Sequence, residues 1–86
     1  MADEVQKDFS FQSFIGAELA DADFEGANLR RAIFDGANLE GANFSGADLR
    51  KASFVGANLM KAALDGADLR RAKFLKAKLS LSNMQD

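Results

Sequence analysis

A large apolar residue recurs at every fifth position along almost the whole of this 86-residue chain, without a slip in phase. Ala stands two residues before thirteen of the fourteen central residues, and all seven glycines stand two residues after one. A repeat this regular constrains the backbone more strongly than any other property of the sequence. The central residues are Phe14, Leu19, Phe24, Leu29, Phe34, Leu39, Phe44, Leu49, Phe54, Leu59, Leu64, Leu69, Phe74 and Leu79.

A period of five fits neither of the two common secondary structures. On an α-helix, residues five apart are rotated by roughly 140° from one another, so the central residues would scatter around the axis. In a flat strand, side chains alternate between the two faces, so an odd period would send successive central residues to opposite sides. Collagen is excluded because its glycine recurs at every third residue.

The pattern is satisfied if the chain turns a corner once in every five residues. The central residue and the Ala before it then point inward, and four corners close a coil of about twenty residues that stacks into a solenoid. Gly suits the corner because the third residue of a type II turn has a positive φ. At six corners the residue is not Gly, which leaves a different turn type open there: Asp21, Arg31, Lys51, Lys61, Arg71 and Lys76.

Residues twenty apart should then lie above one another in columns. One inward column would contain only Phe, and the next only Leu. Stacked Phe rings add roughly 0.5–1.5 kcal/mol per pair beyond their burial, so this column is predicted to form the core. Its members are Phe14, Phe34, Phe54 and Phe74.

The runs GANLRRAIFDGANLEGANFSGADLRKASF and GADLRRAKF resemble the pentapeptide-repeat proteins, whose motif reads A(D/N)(L/F)xx. The resemblance implies an all-β fold, a right-handed quadrilateral β-helix of about three and a half to four coils of about 20 residues. It covers residues 9–84, with residues 1–8 as a polar N-terminal segment or cap and residues 85–86 as a tail. The motif is specific for the fold and much less so for function.

The composition excludes most catalytic chemistry, because the chain has no His, Cys, Trp, Tyr or Pro. Thiol catalysis, disulfides, His-based acid–base catalysis and zinc sites with His or Cys ligands are ruled out. Carboxylates at this period face solvent singly, and no phosphate-binding glycine loop is present. The sequence therefore predicts no enzyme, no cofactor and no metal site. The outward residues Asn28, Asp48 and Asp68 are expected to hydrogen-bond neighbouring turns.

Net charge and hydropathy give no indication of a nucleic-acid partner, a signal peptide or a membrane helix. Eleven basic and thirteen acidic residues give a net charge of −2, which offers no reason to expect a nucleic-acid partner. The segment Met1 to Asp8 has no apolar run of the signal-peptide kind, and no stretch approaches the roughly 20 apolar residues of a membrane helix. The expectation is a cytoplasmic protein, with which the absence of Cys agrees.

Both ends of so short a solenoid would expose apolar core and unpaired backbone. The N-terminal run ADEVQKDF could cap one end as a turn of helix, with Phe11 packing on it, while the other end has only Leu81 and Met84 to offer. End-to-end self-association is predicted, as a twofold homodimer. The alternative is a monomer with frayed, solvated ends.

Two outward columns contain six of the eleven basic residues and form a candidate face for an anion or a partner. The alternative is a solvated face whose charges are offset by acidic neighbours such as Asp48 and Asp68. No aromatic residue is expected on this face to stack on a nucleic-acid base. The six residues are Arg30, Arg31, Arg50, Lys51, Arg70 and Arg71.

A second set of outward residues is aliphatic and forms a candidate apolar contact column: Ile15, Ile33, Val55 and Leu75. Asp35 lies in the same column as Ile15 and Val55, and Met60 lies on the next side. Scattered exposed aliphatic residues are also normal on any protein surface, so a partner contact and an ordinary surface both remain open.

The leading functional hypothesis is a non-catalytic structural and protein-interaction module whose partner the sequence does not identify. The resemblance supplies an alternative, since some pentapeptide-repeat proteins mimic B-form DNA and protect type II topoisomerases such as DNA gyrase. That role calls for a long acidic prism, which a net charge of −2 and a basic face do not favour. Anion or phosphate binding through the basic face is the third hypothesis.

Overall fold

The computed structural model describes residues 6–80, and within this range it contains no α-helix and no strand longer than one residue. The backbone is instead joined by isolated parallel bridges, each linking a residue to the one twenty positions later. The first bridge joins Asp8 to Asn28, and the last joins Asn58 to Lys78. The predicted coil of twenty residues is therefore confirmed.

A tight turn follows each central residue from Phe14 to Phe74. In a typical turn, the Ala32 N–H donates to the carbonyl oxygen of Leu29 at 3.0 Å. The third residue of every turn has a φ between 60° and 73°, and the second does not have a positive φ, as in a type II turn. Four such turns per coil give the solenoid four sides.

The turns without glycine have the same backbone as the turns with it, so the different turn type left open for them is wrong. Arg31 has a φ of 60° and Lys51 a φ of 62°, close to the 69° of Gly36. The reason is the ladder between coils: the Arg31 N–H donates to the Arg50 carbonyl at 2.9 Å, so each turn must superimpose on the turn of the next coil. A seventh non-glycine residue, Phe11, has the same conformation with a φ of 63°.

The core has the predicted arrangement of Ala and large central residues. Every central residue from Phe24 to Leu64 is buried, and so is every Ala two positions before a central residue from Ala27 to Ala62. The Phe column is stacked, with ring centroids 4.9 Å apart for Phe14 and Phe34 and 5.0 Å apart for Phe34 and Phe54, and interplanar angles of 7° and 4°. Phe rings of adjacent sides meet edge to face, as Phe34 and Phe44 do at 5.6 Å.

The first and last described coils are less well covered than the middle. Phe9, Phe14 and Leu19 are only partly buried at one end, as are Phe74 and Leu79 at the other. The described part of the predicted N-terminal cap continues the coil, because the Asn28 N–H donates to the Lys7 carbonyl at 2.7 Å. Residues 1–5, Leu81 and Met84 lie outside the described residues.

Phe11 projects outward from its turn, and residues 1–5 of the cap on which it was expected to pack lie outside the described residues. Its side chain is 68% exposed and contacts the guanidinium of Arg31. Residue 11 is the third residue of a turn, and this position points away from the core. The position of Phe11 in the turn therefore leaves its side chain exposed to solvent, although the side chain is apolar.

Candidate functional site

The six predicted basic residues lie together on two adjacent outward columns. Arg30, Arg50 and Arg70 are the second residues of three stacked turns, and Arg31, Lys51 and Arg71 are the third residues of the same turns. Because the central residue and Ala of each repeat fill the core, the two turn residues project outward. The structure thus brings together all six residues that the sequence predicted.

The column of Arg30, Arg50 and Arg70 is largely neutralised by carboxylates. Arg50 donates to both carboxylate oxygens of Asp48, from Nε at 2.9 Å and from Nη2 at 2.7 Å. Arg70 forms the same bidentate contact with Asp68, at 2.9 and 2.6 Å. We call Arg30, Asp48, Arg50, Asp68 and Arg70 the Arg–Asp ladder.

The ladder also connects one coil to the next. Nε of Arg30 lies 3.8 Å from Oδ2 of Asp48, and Nε of Arg50 lies 3.8 Å from Oδ2 of Asp68. Each of these carboxylates therefore lies between two guanidinium groups, one from its own turn and one from the preceding coil. The interpretation in which Asp48 and Asp68 offset these charges is supported for this column.

These contacts shift the pKa values of the acidic partners. The side-chain hydrogen bond from Arg70 lowers the pKa of Asp68 to about 2. The side-chain hydrogen bond from Arg50 likewise holds the pKa of Asp48 below its usual range. At the start of the same column, the Ser10 backbone N–H lowers the pKa of Asp8. The carboxylates of this column therefore stay ionised far into the acid range, where the two Asp residues of the ladder continue to offset two of its three Arg charges.

The second column has a different electrostatic state. Arg31, Lys51 and Arg71 are exposed and form no ion pair with any residue in the range 6–80. Phe11 continues this column one coil earlier, with the Arg31 Cζ 5.6 Å from the centroid of its ring. We call Phe11, Arg31, Lys51 and Arg71 the basic edge.

A groove open to solvent runs along the basic edge, lined by Phe11, Arg30, Arg31, Arg50 and Lys51. The expectation that this face has no aromatic residue is therefore wrong. Phe11 was assigned to the end of the solenoid because it is out of phase with the central residues. Its spacing of twenty residues from Arg31 was the signal that places it on the edge.

The Asn and Asp residues before the central positions stabilise the turns, as predicted. Oδ1 of Asn28 accepts a hydrogen bond from the Arg30 N–H at 3.2 Å, and Oδ1 of Asp68 accepts one from the Arg70 N–H at 3.2 Å. In the range 6–80, no group of three acidic residues is placed to hold a metal ion. They also link coils, since Nδ2 of Asn28 donates to Oδ1 of Asp8 at 3.3 Å. These side chains therefore act both within their own turns and between neighbouring turns.

A family model described as pentapeptide repeat region matches residues 7–85. This chain belongs to the pentapeptide-repeat proteins. The resemblance found in the sequence is thereby confirmed, and the columns described above are those of a pentapeptide-repeat protein. A search of curated proteins gives no match to the chain.

Two solved pentapeptide-repeat structures are similar to this chain. HetL, a protein involved in heterocyst differentiation regulation from the cyanobacterium Nostoc sp. strain PCC 7120, is 38% identical with a TM-score of 0.90, over 92% of this chain and 37% of HetL. Rfr23 from the cyanobacterium Cyanothece 51142 is 31% identical with a TM-score of 0.87, over 90% of this chain and 53% of Rfr23. The chain thus spans between about a third and about a half of these relatives.

The candidate apolar column of this pentapeptide-repeat protein is interrupted. Ile15 and Leu75 are 65% and 68% exposed, whereas Ile33 and Val55 are half-buried. The carboxylate of Asp35 lies between Ile15 and Val55, where it accepts a hydrogen bond from the Val55 N–H at 3.1 Å. The four residues therefore form no continuous apolar surface.

The described part of this pentapeptide-repeat protein offers little else that is typical of a functional site. Every buried side chain in residues 6–80 is apolar. A search of the same residues finds no helix with the length and apolar character needed to cross a membrane. Attention therefore rests on the outer surface, and on the basic edge in particular.

Proposed function

We propose that this chain is a non-catalytic protein-interaction module, a right-handed quadrilateral β-helix that presents its basic edge to an acidic surface of a protein partner. The rigid stack of coils would hold the cations of the edge at a fixed spacing. A partner with a matching row of carboxylates would meet them without reorganising either surface.

The absence of glycine from the basic edge is the observation on which the proposal depends. All four of its turns have a large side chain at positive φ, where a non-glycine residue is strained by roughly 1–2 kcal/mol. The neighbouring edge has Gly16, Gly36 and Gly56 at three of its four turns. Backbone strain is thus present at all four turns of the basic edge, but the glycines relieve it at three of the four turns of the neighbouring edge. Strained residues that are retained in this way are associated with functional surfaces.

The core supports a non-catalytic role. Its buried side chains in the described range are all apolar, so no acid, base or nucleophile is enclosed away from water. HetL is described as a protein involved in regulating differentiation, a role that fits an interaction module. A DNA-mimic role is not favoured, because three unpaired cations along one edge would oppose a surface that binds basic clefts.

Anion binding is the second candidate, and it would use the same edge. The groove beside Arg31 and Lys51 has two cations and the exposed ring of Phe11, which suits a phosphate or sulfate group. The two candidates differ in affinity for a simple polyanion. If the edge binds a protein partner specifically, heparin should not displace that partner at physiological salt. If the edge is a simple anion site, heparin should bind it as well as the protein does and should displace the protein.

A pull-down with the 86-residue chain as bait tests the proposal. The variant Arg31→Gln/Lys51→Gln removes two cations of the edge, and Lys61→Gln/Lys76→Gln removes two cations from turns of other edges. All four residues have positive φ, so the two variants match in charge change and in backbone position. We expect a protein from the source organism to be retained by wild type and by Lys61→Gln/Lys76→Gln, and lost with Arg31→Gln/Lys51→Gln.

The same experiment includes the outcomes that contradict the proposal. Equal retention by both variants would mean that the edge is not the contact, and equal loss would mean that only total charge matters. Elution of the retained protein by heparin at physiological salt would favour the anion-binding candidate instead.

A further inference from the structure

The two basic columns differ in how much of their charge the chain itself already engages. The three cations of the basic edge form no ion pair within residues 6–80, whereas every Arg of the Arg–Asp ladder lies beside a carboxylate. Arg50 and Arg70 each donate two hydrogen bonds to the Asp two residues earlier, at distances between 2.6 and 2.9 Å. Half of the six cations on this face are thus held by internal carboxylates.

The turns of this column do not themselves require a carboxylate. Oδ1 of Asn28 accepts from the Arg30 N–H at 3.2 Å, just as Oδ1 of Asp48 accepts from the Arg50 N–H at 3.3 Å. What Asp48 adds is a negative charge and a second oxygen, which accepts from Nη2 of Arg50 at 2.7 Å. The carboxylates at positions 48 and 68 therefore act on the guanidinium groups more than on the backbone.

The engaged guanidinium groups remain open to solvent. The side chains of Arg30, Arg50 and Arg70 are 49%, 40% and 74% exposed. An anionic ligand could therefore reach them without any movement of the coils, and it would compete directly with Asp48 and Asp68. The carboxylate of Asp68 is charged at neutral pH, because the side-chain hydrogen bond from Arg70 lowers its pKa to about 2.

The ladder and the basic edge share one surface. A second open groove between them is lined by four basic residues alone: Arg50, Lys51, Arg70 and Arg71. Successive coils lie about 5 Å apart, as the Phe34 and Phe54 ring centroids do at 5.0 Å. If the internal carboxylates were absent, six cations would therefore stand in two adjacent rows across three coils.

Nucleic acid is the ligand that such a double row would attract most strongly. Its phosphates are closely spaced along the backbone, and each phosphate neutralised by Lys or Arg releases counterions, so binding needs no particular base sequence. The strength of this binding grows with the number of phosphates contacted. The single row of cations at the basic edge offers about half as many contacts as the full face would.

We propose that Asp48 and Asp68 determine specificity, because their carboxylates occupy the Arg residues of the ladder and so exclude nucleic acid from this face. The basic edge stays available to a ligand that presents a single row of carboxylates. Selection of this kind penalises the wrong ligand and leaves the contacts with the right one unchanged. The inference rests on the proposed function for the identity of the right ligand, an acidic protein surface.

Titration of a fluorescently labelled DNA duplex with the 86-residue chain, followed by anisotropy at several salt concentrations, tests the exclusion. Asp48→Asn/Asp68→Asn keeps an oxygen for each turn hydrogen bond and releases two guanidinium groups. We expect tighter binding than that of wild type, with a slope of log affinity against log salt steeper by about 1.8, since each of two further phosphate contacts contributes about 0.9. Each single variant should steepen the slope by about 0.9, which keeps the test valid if the double variant does not fold.

Two control variants separate the released guanidinium groups from total charge. Glu18→Gln/Asp23→Asn removes the same two negative charges from the equivalent position of repeats on other sides of the coil. Asp48→Asn/Asp68→Asn/Arg50→Gln/Arg70→Gln removes the carboxylates together with the Arg residues that they engage. We expect both controls to keep the salt slope of wild type.

Three results would overturn the proposal. Wild-type affinity and slope in Asp48→Asn/Asp68→Asn and in both single variants would show that the carboxylates exclude nothing. An equal gain in Glu18→Gln/Asp23→Asn would assign the effect to net charge, and a gain that survives loss of Arg50 and Arg70 would assign it to other residues. The titration contains no protein partner, so its failure is distinct from a failure of the pull-down that tests the basic edge.

Discussion

At the scale of single residues, half of the fourteen turns have a non-glycine residue in the left-handed region, with φ values from 60° to 65°. Such a residue is strained, yet the turn keeps its shape because its N–H is held by the adjacent coil. Long-range pairing thus overrides the local preference of the residue. Sequence reasoning about one turn at a time therefore left the turn type at Arg31 and Lys51 open.

A pair of reciprocal substitutions tests this strain. Lys61→Gly should raise the free energy of unfolding by about 0.5–1 kcal/mol, since relief of the left-handed strain exceeds the entropy that glycine loses on folding. Gly56→Lys should lower it by a similar amount, because open space surrounds the position and only the backbone conformation opposes the change. Chemical denaturation measures both. A loss of stability in Lys61→Gly would show that the lysine side chain contributes more than its strain costs.

At the scale of the column, residues twenty apart lie above one another, so similar residues at one position of the repeat form a continuous surface along the solenoid. The alternation of Asp and Arg in neighbouring outward positions becomes the Arg–Asp ladder, in which two Asp charges offset two of the three Arg charges. The adjacent position forms no ion pair within residues 6–80 and becomes the basic edge. The sequence predicted all six basic residues, but their division into a largely neutralised column and a cationic column depends on side-chain geometry, such as the 2.7 Å contact between Arg50 and Asp48.

The lowered pKa of Asp68 predicts how the ladder responds to acid. A carboxyl group whose pKa is lower in the folded chain stabilises the fold above its unfolded pKa of about 3.9, and this contribution is lost as the pH falls toward the folded value. With a folded pKa of about 2, the loss for Asp68 falls between about pH 4 and pH 2. Thermal melts of Asp68→Asn should therefore depend less steeply on pH in this window than those of wild type. Because the side chains are exposed, the difference should shrink in high salt, and identical slopes would contradict the assigned role of the pair.

At the scale of the whole molecule, the five-residue repeat determines both the twenty-residue coil and the apolar core. Both could therefore be predicted from the sequence. The twenty-residue register, the glycine turns and the Phe column are all present as expected. What the sequence reasoning missed came from departures from the repeat. Hydrophobicity alone places Phe11 at the end of the solenoid, whereas its spacing of twenty residues from Arg31 places it on the basic edge.

Function in this molecule is expected on the outside, because the described interior has only apolar side chains. The cations of the basic edge stand on a scaffold fixed by hydrogen bonds in every coil, so their spacing is set before any partner arrives. Contact with a partner is therefore expected through the basic edge.

Site-specific photo-crosslinking tests that claim most directly. A benzophenone-bearing phenylalanine analogue would replace Phe11 on the basic edge in one protein, and exposed Ala20 on the opposite side of the coil in another. Irradiation in a lysate of the source organism is expected to join a partner protein to position 11 and to give no such adduct at position 20. The variant Arg31→Gln/Lys51→Gln should abolish the adduct at position 11. An adduct from position 20 with none from position 11 would contradict the account.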